Sequence, residues 1–568
     1  MKKYKFLLYT LICVCLTFFS ISCSGDEDKP DPELIVSTDN LTFTKDGGDN
    51  TIHIKTNQKW TVASSESWCT VLPASGEETG TIKLTVSAQA NTTTEIRNAT
   101  LTITAGNIKK EVAVTQALTN LLVVKKNIYD VKSEGENITV ELQTSGSHEI
   151  VINGDWITKS STKAVSDVSE VFVIAPNKNI FEREGTIVFK VGNLSETVTI
   201  AQAATSQNIA ADKTGMNNDA PALAAKMGLG WNLGNTLEAT DGTTAGETTW
   251  GNPKASKTLI DGVKAAGFNT VRIPCAWNAY IEDQTTYKIS DARLARVKEV
   301  VDYCIDNNMY AIINIHWDGG WLEENPTYDK QVEVNKKQKA LWEQIAVYFR
   351  DYDEHLLFAG TNEVHANYNT PSAENIEVQQ SYNQTFINAV RSTGGKNTWR
   401  NLIVQSYNTN IDYAVNYMKM PTDPTANRIM AEVHYYDPYD FTLAEENTIF
   451  LWGKDFSGAG VSTWGQEDWA DTQFGKIKTN FVDKGIPVIL GEYAATLRAS
   501  LSTADYANHV KARNYYLNYI TKVAVQNGLV PVYWDNGPTG DKASGLFNRT
   551  TGEQVHTDAI NAIISAGK

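Results

Sequence analysis

The distribution of apolar residues divides the chain into three regimes. A basic start, Met1-Lys2-Lys3-Tyr4-Lys5, runs into an apolar stretch from Phe6 to Ser20. That length suits a secretory leader and is short for a bilayer span. From residue 34 to 204 apolar and polar residues alternate, as in Thr51-Ile52-His53-Ile54-Lys55, Thr81-Ile82-Lys83-Leu84-Thr85-Val86 and Thr100-Leu101-Thr102-Ile103. The two-residue period predicts half-buried strands, with turns at Asp46-Gly47-Gly48-Asp49 and Ala105-Gly106-Asn107. From Met216 on, apolar runs of strand length alternate with segments whose apolar residues recur every three to four positions. That predicts alternating strands and helices.

The alternating region contains an internal repeat. Val112-Ala113-Val114-Thr115-Gln116-Ala117 returns as Val198-Thr199-Ile200-Ala201-Gln202-Ala203. The step of 86 from Gln116 to Gln202 also separates Arg97 from Arg183 and Gly106-Asn107 from Gly192-Asn193. Trp68 and Trp156 correspond within two residues. Two all-β, immunoglobulin-like sandwiches are expected. The closing strand, with an Arg and a Gly before it and one Trp near the middle, resembles the BACON domain. That family is a β-sandwich often attached to bacterial carbohydrate-active enzymes. The resemblance covers residues 34–117 and 119–204. Trp68 and Trp156 read as core, and Trp60 is replaced by His148 in the second copy, so no shared sugar platform emerges. A spacer role is expected rather than sugar binding.

After a polar linker, 205–215, eight strand candidates follow: Met227–Asn235, Thr270–Trp277, Met309–Trp317, His355–Glu363, Leu402–Tyr407, Arg428–Tyr436, Pro487–Tyr493 and Leu529–Trp534. Between them, Leu294, Val297, Val301, Cys304 and Ile305 share one helical face, as do Leu341, Ile345 and Phe349, and more loosely Tyr515, Leu517, Ile520 and Val523. Near-continuous apolar strands separated by helices mark a parallel sheet. Eight repeats over 216–568 predict a (β/α)8 TIM barrel. A doubly wound open sheet is the alternative, but no Gly-rich phosphate loop follows the first strand, which removes its nucleotide-binding form.

A net charge of -16 argues against nucleic-acid or anionic-membrane partners. Of six cysteines, Cys13 and Cys15 lie in the leader, and Cys69, Cys275 and Cys304 show no disulfide spacing and read as buried thiols. With no CxxC and no HExxH, neither metal nor cofactor is expected. Ser20-Ile21-Ser22-Cys23 resembles a bacterial lipoprotein cleavage site, with Ser20 where Leu is usual. It implies removal of residues 1–22, a lipid on Cys23 and a tether at 23–33. An ordinary secretory signal cut nearby is the alternative. Asp26-Glu27-Asp28 resembles the acidic tag of lipoproteins sent to the outer cell surface. The expected location is therefore the bacterial outer membrane, lipid-anchored and facing outward.

Polar residues collect where the eight apolar runs end. They include Asn232 on the first, Arg272 on the second, His316 and Trp317 on the third, Asn362 and Glu363 on the fourth, His434 and Tyr436 on the sixth, Glu492 on the seventh and Trp534 on the eighth. The C-terminal ends of barrel strands are where active sites are built. Strands four and seven lie on opposite sides of the barrel, so Glu363 and Glu492 can face each other. Paired carboxylates flanking a glycosidic bond are the standard hydrolytic device. Arg272 can hold one of them ionised, while the other needs a raised pKa to act as acid. Trp534 offers an apolar face to a sugar ring. Glu432 reads as a satisfied buried residue deeper in the barrel, and Asp318, Glu323 and Glu324 as solvated loop residues.

In order, GWNLGNTLEA, VRIP, NIH, NE, HYY, GEY and YWDNG make residues 216–568 resemble glycoside hydrolase family 5, the endoglucanase family of the retaining clan. The resemblance implies that Glu363 is the acid/base and Glu492 the nucleophile. It gives Arg272, His316, Asn362, His434, Tyr436 and Trp534 supporting roles at the substrate, with Asn362 bonding the sugar 2-hydroxyl. Asn232, Trp317 and Trp321 join them as candidate substrate contacts. Val364 replaces the usual Pro after the acid/base, and Trp317 a usual His. Two long loops, Asp318–Val334 with Trp321 and Asp437–Asp468 with Tyr439, Trp452 and Trp464, are expected to wall a groove. Trp342 and Trp399 read as packing residues. The implied activity is that of a monomeric endo-β-1,4-glucanase cleaving a β-linked polysaccharide internally: cellulosic glucan, mixed-linkage glucan or, as the leading expectation, xyloglucan. An endo-β-mannanase of the same mechanism, a non-catalytic glycan-binding lipoprotein and an adhesin built on the sandwiches are the alternatives.

Overall fold

The structure, a computed structural model, describes residues 31–567 apart from 78, 145–146, 161–168 and 447. The leader and Cys23 lie outside the described residues. Among those described, no helix is long and apolar enough to cross a membrane.

Both predicted sandwiches are present. In the first, a sheet of Leu34–Val36, Gly48–Thr56, Gly80–Ala88 and Cys69–Leu72 faces one built on Asn40–Phe43, Ile108–Gln116, Arg97–Ala105 and Trp60–Ser64. Their inward residues, among them Ile52, Ile54, Leu84, Leu101, Ile103 and Val112, are buried. Trp60 and Trp68 belong to this core, with the Arg97 guanidinium over the Trp68 ring. The repeated Gln has a structural task. Arg97 Nε donates to Gln116 Oε1 at 2.9 Å, and Gln116 Nε2 donates to the Thr44 and Gln89 carbonyls. Arg183 and Gln202 do the same in the second copy, at 2.8 Å, with the Lys132 and Ala175 carbonyls. The repeat is thus a buried crosslink that satisfies loop carbonyls which burial would otherwise leave unpaired.

The eight candidate strands close into a parallel barrel in chain order: β1 Gly230–Leu233, β2 Thr270–Ile273, β3 Tyr310–Asn314, β4 Leu356–Ala359, β5 Leu402–Gln405, β6 Ile429–His434, β7 Val488–Glu492 and β8 Leu529–Asp535. The first seven are shorter than their apolar runs, because pairing stops before several of the polar residues, while β8 runs one residue further, to Asp535. Inside, the side chains grade from apolar to polar along a strand. Met430, Glu432 and His434 follow one another on β6, and Leu357, Ala359, Thr361 and Glu363 on β4 and its extension. A short helix, Ala220–Met227, closes the bottom with Leu223 and Met227 against Ile312, Leu357, Ile403, Met430 and Ile489.

The predicted helical faces lie on Asp291–Asp306, on Tyr328–Tyr348 with Phe349 just beyond it, and on Thr503–Gln526; all their residues are buried except Ile305 and Tyr515, which are half-buried. Two expectations need correction. The loop after β3 ends earlier than expected, since its helix starts at Tyr328. Trp452 does not wall a groove; it is fully buried against Tyr515, Tyr516 and Tyr519. The linker is fastened to the barrel: Arg350 donates to the Ser206 and Gln207 carbonyls, and Ile209 exchanges main-chain hydrogen bonds with Thr393 and Gly395.

Candidate active site

Glu363 and Glu492 meet at the mouth of the barrel. Their carboxylate oxygens and a ring nitrogen of His434 all lie within 4.8 Å of one another. The β4 alternation carries Glu363 inward. On β7 the alternation from Ile489 would turn Glu492 outward, but a register shift pairs Val433 with Leu490 and His434 with Glu492. A bulge of this kind re-aims a side chain. The skipped residue is Gly491, where a Cβ would stand 2.1 Å from Glu432 Oε1.

Arg272, fully buried, organises the floor. Its Nη1 donates to Glu492 Oε1 at 2.9 Å and to Asn232 Oδ1 at 3.1 Å, its Nη2 to Asn362 Oδ1 at 2.8 Å, and its Nε lies 3.0 Å from Glu432 Oε1. Tyr436 Oη donates to Glu492 Oε2 at 2.9 Å. Glu363 Oε1 meets His434 Nδ1 at 2.5 Å and accepts from Thr409 Oγ1 at 3.2 Å. Thr409, β-branched and buried, has a φ of +45°. Strain of this kind, costing about 1–3 kcal/mol, collects at functional sites.

Burial works against the His434 charge, yet Glu492, Glu363 and Glu432 around it push its pKa up to about 10. It is therefore an imidazolium at neutral pH, with Nδ1 on Glu363 and Nε2 on Glu432. Burial at Glu363 is outweighed by its contact with His434, which holds that carboxyl below the usual range. Burial and the Glu363 charge push Glu492 up against the pull of His434 and Arg272. Taken alone, these directions are the reverse of what an acid and a nucleophile need. They agree with the geometry once the proton is followed. It rests on His434, one short hydrogen bond from Glu363, while Glu492 receives the donors that suit an anion. Burial, Arg272 and the His434 charge keep His316 neutral, and its ring stacks on Trp534 at 5.7 Å and 6°.

Several candidate contacts lie elsewhere than expected. Asn232 and Arg272 are fully buried beneath the carboxylates, so they position Glu492 and Asn362 and cannot touch a sugar. The His434 side chain is only 3% exposed and is likewise enclosed. Trp321 is packed into the loop, with its Nε1 on Asp318 and Lys337 over its ring. Trp317 and Trp534 are half-buried, and Trp317 leans on the exposed Trp250. Asp318 and Glu323 are not solvated: both are buried, and Glu323 bonds Asn362 and the Glu363 main chain. Glu324 is exposed and accepts from Trp317 Nε1. Glu432 is fully buried and paired, as expected. Thr409 and Trp250 escaped notice in the sequence, and Glu323 was expected only as a solvated loop residue. Each lies outside the barrel strands, whereas a strand end had marked every other candidate but Trp321.

Beside Glu363 a cavity of about 260 Å³ opens, lined by Tyr368, Asn408, Thr409, Asp412, Tyr439 and Gln473 among others. Exposed Trp464 and Trp469 pair edge-to-face beyond it, and Trp469 Nε1 donates to Asp437.

A (β/α)8 barrel with two supported carboxylates this close across its mouth defines a glycoside hydrolase. Comparison with known proteins agrees, and the chain belongs to glycosyl hydrolase family 5, the cellulase family, whose description matches residues 234–540. Residues 58–117 and 137–203 each match the BACON family, described as a putative N-terminal binding domain. The xyloglucan-specific endo-β-1,4-glucanase of Bacteroides ovatus is 38% identical over 563 residues, 97% of this chain and 95% of that protein. The structure of the Bacteroides ovatus xyloglucanase with a XXXG heptasaccharide aligns with a TM-score of 0.61 at 36% identity, covering 94% of this chain and 100% of that one. A broad-specificity endoglucanase from Bacteroides salanitronis aligns with a TM-score of 0.58 at 36% identity, covering 64% of this chain and 98% of that one.

Proposed function

We propose that this chain is a retaining endo-β-1,4-glucanase acting on xyloglucan, held on the outer face of a bacterial outer membrane by a lipid on Cys23. The observation that carries the chemistry is the Glu363–Glu492 pair within 4.8 Å, with Arg272 and Tyr436 on one member and His434 on the other. That separation suits direct attack at the sugar and is too short to hold a water for inversion, which needs about 6.5–9.5 Å.

In the first step Glu492 attacks the anomeric carbon. Glu363 delivers a proton to the departing glycosidic oxygen, taking it across the 2.5 Å contact from His434 Nδ1. A glycosyl ester forms on Glu492 and the glycosidic C–O bond breaks. In the second step Glu363 takes a proton from water and passes it back to His434 Nδ1, restoring the resting state, while the water oxygen attacks the same carbon and releases Glu492. The face of Trp534, braced by His316, supports the ring being cleaved. Asn362, held by Arg272, meets its 2-hydroxyl.

Aromatic side chains stand on both arms of the site, with Trp250 and Trp317 on one and Tyr368, Tyr439, Trp464 and Trp469 on the other. A chain gripped on both sides is cut internally. The cavity beside the acid/base adds width on the leaving-group side, which favours a branched glucan over a bare one. The full-length similarity to a xyloglucan-specific enzyme supports the same choice. The anchor rests on the leader and Ser20-Ile21-Ser22-Cys23. The sandwiches then serve as spacers, and the enzyme acts as a monomer.

The test is a panel of xyloglucan, mixed-linkage glucan, carboxymethyl cellulose and β-mannan, offered to the chain lacking residues 1–23. Rapid loss of xyloglucan viscosity is expected, abolished in Glu363→Ala and Glu492→Ala. Activity surviving in both variants refutes the site. A preference for mannan refutes the substrate. Membrane fractionation of the full chain, against Cys23→Ser, tests the anchor.

A further inference from the structure

Glu323 is 5% exposed, and its carboxyl is turned into the active site from the loop after β3. Its Oε2 accepts from Asn362 Nδ2 at 3.1 Å and from the Glu363 main-chain N–H at 3.1 Å. Its own carbonyl accepts from the His365 N–H at 2.8 Å. The loop thus clasps the acid/base residue on both sides. Under it, Leu322, Val334, Val364, Val378 and Tyr382 form a small apolar cluster. We propose that Glu323 is a positioning residue for the reaction, one carboxyl oxygen of which fixes the Asn362 amide and the Glu363 main chain in the attitude that glycosidic cleavage requires.

The inference rests on the hydrolase reading of the same site. Asn362 is held at both ends, Oδ1 by Arg272 and Nδ2 by Glu323. With one end free, the amide can turn away from the sugar. Glu363 is held at its main chain by Glu323 and at its carboxyl by His434 and Thr409. The charges that act most on Glu323 are anionic, Glu363 beyond the end of β4 and Glu492 on β7, with the Tyr368 phenol alongside, while the cations Arg272 on β2 and His434 on β6 stand behind Asn362 and Glu363. Glu324 turns to Trp317, and Lys337 covers Trp321. Burial and the Glu363 charge push the Glu323 carboxyl up to about 8. The working form is therefore the neutral acid, which holds both donors without adding another negative charge beside the nucleophile.

Two variants separate the possibilities, on whichever panel substrate the wild type cleaves. Glu323→Gln keeps a neutral acceptor in place, and its kcat is expected within threefold of wild type. Glu323→Ala leaves both N–H groups unpaired, and its kcat is expected to fall at least twentyfold with KM within twofold. A fall in Glu323→Gln as deep as in Glu323→Ala overturns the neutral form. No fall in Glu323→Ala overturns the positioning role. An inactive wild type would instead count against the hydrolase reading, which the panel shows separately. Thermal unfolding supplies a readout independent of turnover. The native state keeps a proton that the unfolded chain gives up between pH 4.5 and about 8, so this carboxyl's contribution to stability declines as pH rises through that window. The Tm of Glu323→Gln minus that of wild type should therefore grow from pH 5 to pH 8. A flat or falling difference refutes the neutral acid.

Discussion

Gly491→Ala adds one methyl group where Glu432 already lies. The new Cβ falls 2.1 Å from Glu432 Oε1 and 2.7 Å from its Cδ. Glu432 has nowhere to go, because it is fully buried and held by Gln405 at 2.6 Å, Arg272 at 3.0 Å and His434 at 3.2 Å. Moving the carboxylate leaves Arg272 and His434 short of a counter-charge in a dry site. Breaking a buried ion pair costs about 3–5 kcal/mol, and forcing a methyl into a packed core costs about 1–3 kcal/mol. These overlap, so a net loss of about 3–4 kcal/mol is expected. At about 2 °C per kcal/mol for a large domain, that is a Tm lower by roughly 6–8 °C. The same displacement disturbs Arg272, which aligns Glu492, and kcat should fall at least a hundredfold, or about 2.7 kcal/mol.

The double mutant isolates the cause. Glu432→Ala is itself destabilising, but it clears the space, so adding Gly491→Ala to it should cost under about 1 kcal/mol. The two changes are then non-additive by about 2–3 kcal/mol. Scanning calorimetry of the four proteins measures the cycle. If Gly491→Ala costs the same in both backgrounds, the collision with Glu432 is not its cause. If it costs nothing in wild type, the explanation of the bulge fails.

Further predictions concern the chemistry. Tyr436→Phe removes a hydrogen bond to the ionised nucleophile, worth about 1.5–3 kcal/mol, so kcat should fall roughly ten- to a hundredfold with KM little changed. In Glu363→Ala, sodium azide should restore turnover of an activated aryl glycoside and yield a β-glycosyl azide. An α-azide, or no azide product, contradicts a glycosyl ester on Glu492. His434 carries a pKa raised from 6.5 to about 10, so its contribution to stability is full below pH 6.5 and is lost as pH climbs toward 10. The Tm gap between wild type and His434→Asn should narrow over that range, and a constant gap counts against the imidazolium. Trp464→Ala should raise KM for xyloglucan three- to tenfold, about 0.7–1.4 kcal/mol, and leave a short aryl glycoside unaffected.

What the sequence disclosed follows from how the two periods work. A strand buried on both faces must be apolar throughout, so the eight runs stood out, and the residue types at their ends could be read in order. The sandwiches were legible for the complementary reason: one face of each strand meets solvent, and the alternation is clean. Loop residues carry no such periodicity. Glu323 and Glu324 are adjacent carboxylates of the same composition, yet one is buried against Asn362 and the other is exposed on Trp317. Only tertiary packing separates them. Trp452 was misplaced for the same reason, since its loop folds back and packs the ring on three tyrosines of the helix Thr503–Gln526.

Val364 and Gly491 show how the pair of carboxylates is held to tolerance. Val364, where the family more often has proline, is fully buried in the cluster beneath Glu323. Its carbonyl accepts from Asn408 in the strained turn that delivers Thr409. An aliphatic residue there links the two segments that grip Glu363, one through packing and one through a main-chain bond. Across the mouth, Gly491 lets β7 skip a residue so that Glu492 turns inward over Arg272. The acid/base is thus brought inward by the β4 alternation and held there by loops, while the nucleophile is placed by a strand defect that the two-residue alternation does not give. A substitution that preserved the alternation but removed either device would keep the barrel and separate the carboxylates. Activity should therefore be more sensitive than stability at Val364, and sensitive together with stability at Gly491.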